Sequence, residues 1–430
     1  MNRSLSMNRM TFIAITGLAL IAGLVPATDA SAQACFEHIR NLNYSPTNCS
    51  AQPEIDRVFR LQTITWQGSK YLFVDEGNEI KIMNIDDPLN PGSGSSSYFN
   101  IANVGDSDYD LMSFSVCDDC RYGIANYKAA TVLFDLGTGA TPNFVDETKN
   151  FSATLIQGGF TFKEGSQQYL VAASLGTNPC ANNKSGLYQF NDIDEFNNPL
   201  LECLDVSGSG TEIVNGILVE GTSSPVFYMS DRFDRFRIFQ AHTSPTFGLT
   251  YVGNGGIERA NMGRGYGVAI DETAGVMAVA NLGELYIYDV GHSGGTPVSP
   301  ILRSTTNLSG GLDNANAVAL KYPVVHVATQ FNLAEPQTFD VSNPNNPVPL
   351  DQQFWDPSHA WNSLGDCIWN NQATFSEDGS ALYLSRYSSL QVIDPTACSG
   401  PVTPGTTRAI SLASVFTTLS HSGISPRGVR

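Results

Sequence analysis

The stretch "EIKIMNIDDPLNP", residues 79–91, decides how this sequence folds, because the chain writes the same phrase again. A near-copy stands at 336–349, "PQTFDVSNPNNPVP", and looser echoes at 284–297, "ELYIYDVGHSGGTP", and 390–401, "LQVIDPTACSGP". Each opens with alternating apolar residues, the period-two signature of a strand with two distinct faces. Each then runs into Asp and Pro or Gly. Asp bonds backbone amides just beyond a strand, and Pro fixes φ and withholds a donor, so the ladder stops there.

Taking the end of each such strand as a ruler, the marks fall at Asp86, Asp135, Asn191, Gln240, Asp289, Asp340 and Asp394, at intervals of 49, 56, 49, 49, 51 and 54 residues. The units ending at Asn191 and Gln240 lack the Asp-Pro ending and rest on strand pattern alone. Seven units of similar length predict radial repetition rather than two ordinary domains. Within a unit the order is strand, tight polar turn, strand, polar loop, then the phrase, as in "GYGVAIDETAGVMAVANLGELYIYDV" (265–290) and "QATFSEDGSALYLSRYSSLQVIDP" (372–395). Helical periodicity is nearly absent. The expectation is an all-β, seven-bladed β-propeller of four-stranded antiparallel blades over 54–417, after a segment 33–53 and before a tail 418–430. Either "RAISLASVF" (408–416) or residues near 36–44 supply the outer strand of the last blade.

On these residues the chain resembles secreted seven-bladed propellers. "IKIMNIDDPLNP" and "TFDVSNPNNP" are similar to LVIVD-type repeats, and "TFSEDGSALYLSRYSSLQVID" to YVTN-type repeats. The resemblance covers residues 55–400, with the third and fourth units diverging. It implies a binding module more often than an enzyme, with ligand sites at the channel face where the second-to-third-strand loops and the inter-blade connections meet.

Arg3 and Arg9, the apolar run "TFIAITGLALIAGLV" (11–25) and Ala30-Ser31-Ala32 read as a signal peptide over 1–32, cleaved before Gln33. The run is too short and too interrupted for a membrane span. A secreted or periplasmic protein follows, with no membrane insertion after cleavage. The formal net charge is −18. Such a surface repels phosphate backbones and anionic lipid, which argues against nucleic acid as a partner. Eight cysteines in an exported chain predict disulfides, and sequence-neighbour pairing gives Cys35–Cys49, Cys117–Cys120, Cys180–Cys203 and Cys367–Cys398. Cys117-Asp118-Asp119-Cys120 has redox spacing, but it falls in a strand–strand turn with no helix N-terminus to lower a thiol pKa, so a staple is expected.

"FWDPSHAWNSLGD" (354–366) is the richest candidate for recognition, with Trp355, His359 and Trp361 flanked by polar groups that suit sugars, peptides or protein edges. The alternative is that these indoles pack a loop over the channel mouth. Asp231, Arg232, Arg386 and Tyr387 belong to second-to-third-strand loops of the same face, and Arg264 in "NMGRGYG" is a candidate anion contact. That glycine-rich stretch leads into a strand and lacks the lysine-hydroxyl ending of a phosphate loop. Asp106, Asp108 and Asp110 alternate as in a calcium loop, but Cys117 stands where the closing acid belongs. No zinc spacing and no G-x-S-x-G elbow occur. The preferred reading is an exported, non-enzymatic binding propeller for a protein, peptide or glycan. The alternative is a lactonase- or lyase-like enzyme with a divalent cation such as calcium held by Asn126, Asn215, Asn316 and Asp366.

Overall fold

The computed structural model of the protein describes residues 37–43, 61–75, 79–92, 97–100, 111–127, 130–151, 159–173, 180, 185–191, 199–204, 213–219, 226–231, 236–242, 247–253, 267–281, 283–290, 300–308, 315–329, 337–350, 370–386 and 389–395. They form seven four-stranded antiparallel sheets, with no helix among them. The first strand is β1 (Glu37–Asn43). Blade 1 is β2 (Leu61–Trp66), β3 (Ser69–Asp75), β4 (Glu79–Asn84) and β5 (Ser97–Asn100). Blade 2 is β6 (Leu111–Ser115), β7 (Tyr122–Tyr127), β8 (Ala130–Asp135) and β9 (Asp146–Phe151). Blade 3 is β10 (Gly159–Glu164), β11 (Gln167–Ala173), β12 (Ser185–Gln189) and β13 (Leu200–Cys203). Blade 4 is β14 (Ile213–Val219), β15 (Val226–Asp231), β16 (Phe236–His242) and β17 (Gly248–Gly253). Blade 5 is β18 (Val268–Asp271), β19 (Val276–Asn281), β20 (Glu284–Asp289) and β21 (Ile301–Asn307). Blade 6 is β22 (Ala315–Lys321), β23 (Val324–Thr329), β24 (Gln337–Asp340) and β25 (Val348–Pro349). Blade 7 takes β26 (Asn370–Phe375), β27 (Leu382–Arg386) and β28 (Ser389–Asp394) from the end of the chain and β1 from its beginning.

Of the two segments open for the last outer strand, 36–44 supplies it. Glu37 pairs with Asp394 and Asn43 with Ser389, with a bulge between His38 and Arg40. The ring is thus fastened by hydrogen bonds between residues from opposite ends of the sequence, and the segment 33–53 contains a strand of the propeller.

The middle strands explain why the sequence reads as short, nearly continuous apolar runs. Alternation sends Tyr71 and Phe73 of β3 against Phe114, Val116 and Phe134 of blade 2, and Leu72 and Val74 against Tyr383 and Val392 of blade 7. Both faces of the strand are buried, so both alternate positions of β3 are apolar through Tyr71–Val74. Seven apolar clusters occupy the seven seams between neighbouring blades, the seam from blade 7 back to blade 1 included. The core is therefore a ring of wedges, and no single blade can bury its own faces.

The repeated phrase ends the third strands that carry it, whereas β16, which lacks it, runs two residues past its mark at Gln240 to His242. One last main-chain bond is made beyond it, Leu136 N–H to Arg121 O and Val341 N–H to Pro323 O, both 2.8 Å. The Asp then turns the chain outward: Asp135 Oδ1 accepts Gly137 N–H and Asp340 Oδ1 accepts Ser342 N–H, both 2.7 Å. In register, Tyr71 opposes Asn84 and Tyr169 opposes Gln189, as Tyr122 opposes Asp135. The marks at Asp86 and Asn191 therefore stand just past the strand end rather than on it.

Candidate functional site

The strands of each blade end at two faces of different construction. At one face the first and second strands are joined by short turns. Gln67 and Gly68, with φ of 48° and 86°, make a two-residue turn between β2 and β3, the left-handed geometry that suits strand twist. In blade 2 the corresponding turn holds the Cys117–Cys120 disulfide, the staple expected from its place in a strand–strand turn.

This turn face is stitched from blade to blade. Asp118 Oδ1 and Asp119 Oδ1 accept the backbone N–H groups of Thr65 and Gln67 at 2.7 and 2.6 Å, and Lys163 Nζ of blade 3 donates to Asp119 O at 3.2 Å. Tyr322 N–H donates to Asp271 Oδ2 at 3.0 Å, and Tyr383 Oη to Pro88 O at 2.8 Å. In the blade 7 turn Asp378 is drawn down to a pKa of about 2. Burial opposes its ionisation, but the N–H of Ser380 and the hydroxyls of Ser376 and Ser380 outweigh that. Arg121 grips Asp135 with Nε at 3.0 Å and Nη2 at 2.6 Å, which holds the guanidinium pKa above its ordinary value. The carboxylates of this face are largely occupied in holding turns.

The opposite face receives the second-to-third-strand loops and the inter-blade connections. The latter are long: β25 ends at Pro349 and β26 begins at Asn370, β17 ends at Gly253 and β18 begins at Val268. Four of the seven first strands enter from this face through a bulge, between Leu111 and Ser113, Ile213 and Asn215, Ala315 and Ala317, and Asn370 and Ala373. Bulges bend a strand, end its pairing and re-aim side chains, and they collect at barrel rims and beside ligand sites.

Several candidate residues sit on strands at this loop face. Asp231 is the last residue of β15 and Arg386 the last of β27. Asn215 follows the bulge of β14, and Asn316 is the extra residue in the bulge of β22. Asn126, one residue from the end of β7, is fully buried, and its Oδ1 accepts the Thr131 hydroxyl at 3.2 Å. By alternation it shares the side of β7 that carries Ile124 and packs toward blade 3. Arg232, Arg264, Trp355, His359, Trp361, Asp366 and Tyr387 lie outside the described residues, as do Asp106, Asp108, Cys35, Cys49, Cys367 and Cys398. The Cys180–Cys203 bridge is formed, tying the second-to-third-strand loop of blade 3 to its outermost strand. Among the described residues no cysteine is free, no group of three His, Cys, Asp or Glu side chains could hold a metal ion, and no helix is long and apolar enough to cross a membrane.

Two polar features had no sequence signal. His326 on β23 is fully buried with Nδ1 2.9 Å from Thr338 Oγ1, and burial pushes its pKa down to about 3, which keeps the ring neutral. Glu202 reaches from β13 to the backbone of Leu249 on β17, a contact between blades that no local motif announces.

No protein-family model matches the chain, and no curated protein matches it. Among solved structures it is similar to a chain of the "Crystal Structure of Mitotic Checkpoint Complex", with 10% sequence identity and a TM-score of 0.52, over 91% of this chain and 98% of that one. At that identity the likeness shows the fold.

Proposed function

We propose that the protein is an exported binding propeller that recognises a protein partner, through a peptide or glycan displayed on it, at the loop face. The observation that carries this reading is the division of labour between the two faces. One carries the first-to-second-strand turns and the third-to-fourth-strand connections, with its described carboxylates holding turns and neighbouring strands, and the other receives inter-blade connections longer than blade closure needs. Excess loop in a compact fold is more often functional than decorative. The longest of these connections contains Trp355, His359 and Trp361. The matched solved chain comes from a multiprotein assembly, which accords with a scaffold role for the fold. Two disulfides, together with the leader pattern of residues 1–32, support export to an oxidising compartment.

A peptide-display library and a glycan array screened with the native protein supply ligands. Trp355→Ala and Trp361→Ala are then compared with wild type in affinity and in melting temperature. Recognition by the indoles predicts a loss of about 2 kcal/mol in binding, roughly 30-fold, with little change in melting. A large drop in melting temperature with unaltered affinity would assign the indoles to packing.

A further inference from the structure

Glu202 stands on β13, the outermost strand of blade 3, next to Cys203 and so beside a disulfide anchor. Its side chain crosses the seam to blade 4, where Oε1 accepts the backbone N–H of Leu249 on β17. Gly248 precedes Leu249 and pairs with His242 of β16. A Cβ built on Gly248 would fall 2.7 Å from His242 Nε2 and 3.3 Å from Glu202 Oε2, so imidazole and carboxylate share the space over one bare Cα. His242 Nδ1 is buried and has no hydrogen-bond partner.

We propose that Glu202, beside His242 over Gly248, is a proton-operated clamp across the seam between blades 3 and 4, closed when its carboxyl takes up a proton. Without that proton a carboxylate sits half out of water beside the aromatic cluster of Phe160, Phe162, Phe227 and Phe239, and burying an uncompensated charge is costly. With the proton on the carboxyl the seam no longer holds an isolated charge.

Burial raises the Glu202 carboxyl above its ordinary pKa, against the opposing effects of the Leu249 N–H and of His242. Among the described side chains, the other titratable groups on the packed strands are Lys163 and Glu164 on β10, Tyr169 on β11, Tyr188 on β12, Tyr228 on β15, Arg237 on β16 and Tyr251 on β17. None of these acts on Glu202, whose one charged influence among the described side chains comes from His242. A folded-state pKa raised above the unfolded value means that the folded form binds the proton more tightly. The seam therefore gains stability as pH falls through the folded pKa, and the gain is complete below the ordinary glutamate range.

The test uses the full exported protein. Urea midpoints of wild type and Glu202→Gln are compared from about pH 8 to about pH 5, because the amide keeps an acceptor for Leu249 N–H and removes the charge. The variant should be the more resistant at the alkaline end, with the gap closing toward the acidic end. A gap that does not vary with pH overturns the proposal. Amide exchange of Leu249 in the wild type, corrected for intrinsic rate, is a readout that needs no variant. Its protection should rise on acidification, on the order of tenfold for each unit by which the folded carboxyl is raised. Unchanged protection overturns the clamp even if Glu202→Gln fails to fold.

Discussion

Replacing Gly123 with Ala tests the wedge packing where it is tightest. Gly123 on β7 pairs with Phe134 on β8, and the phenyl ring lies across the bare Cα. An added Cβ would fall 2.2 Å from Phe134 Cε2 and Cζ and 2.9 Å from Val116 Cγ2, well inside the ~3.5 Å at which carbon atoms pack. The ring has nowhere to go: Phe134 and Val116 are fully buried, and Phe144 meets the ring edge-on at a centroid distance of 5.3 Å. Overpacking of this kind costs about 1–3 kcal/mol, and the upper part of that range applies because both clashing groups are enclosed. Ala in place of Gly in a strand returns roughly 0.5–1 kcal/mol of backbone entropy. The net expectation is a loss of about 2 kcal/mol, read as a lower urea midpoint at unchanged slope. Phe134→Leu opens space above the glycine, so the double variant should lose at least about 1 kcal/mol less than the two single losses together. Strict additivity, or a Gly123→Ala protein as stable as wild type, would refute the packing argument.

Removing the Cys180–Cys203 bridge by paired Ser substitutions should cost about 3 kcal/mol on loop-closure grounds, for a sequence separation of 23, with a matching fall in the urea midpoint. Asn41→Pro deletes a donor from the strand that fastens the ring, opposite Gln391, and should expose blade 7 to limited proteolysis while leaving blades 3 to 5 protected. Calcium titration monitored by melting tests the divalent cation proposed for Asn126, Asn215, Asn316 and Asp366: a saturable rise lost in Asn316→Ala supports it, and no rise at millimolar calcium removes it.

The fold was legible because its physics is local and repeated. Each middle strand is buried on both faces, as in "VMAVAN" and "ELYIYD", and each third strand needs a stop. Asp135, Asp289, Asp340 and Asp394 end their strands where the phrase says. The fit loosens where the stop residues vary, because Asn84 and Gln189 hold the terminal register while Asp86 and Asn191 lie past it. Ring closure was left between two segments for a different reason. "EHIRNLN" has only Ile39 and Leu42 as apolar residues and does not alternate, since an outermost strand contributes main-chain bonds more than burial. The blade order also shows why Asp231, Arg386, Asn215 and Asn316 share one face although they are far apart in sequence. The Glu202–His242 pair was invisible for the opposite reason: it joins the outer edges of two blades through a backbone amide and a glycine, neither of which marks the sequence.

The reading of the loop face is tested most directly by site-specific photo-crosslinking in the native compartment. A benzophenone side chain is placed at Asp231 or Arg386, the loop-face ends of β15 and β27, and at Gln67 or Glu272, both exposed, on the turn face. A protein-binding propeller of the kind proposed gives discrete covalent adducts with a partner from the loop-face positions and none from the turn face. Adducts from Gln67 and Glu272 with none from Asp231 and Arg386 would contradict it.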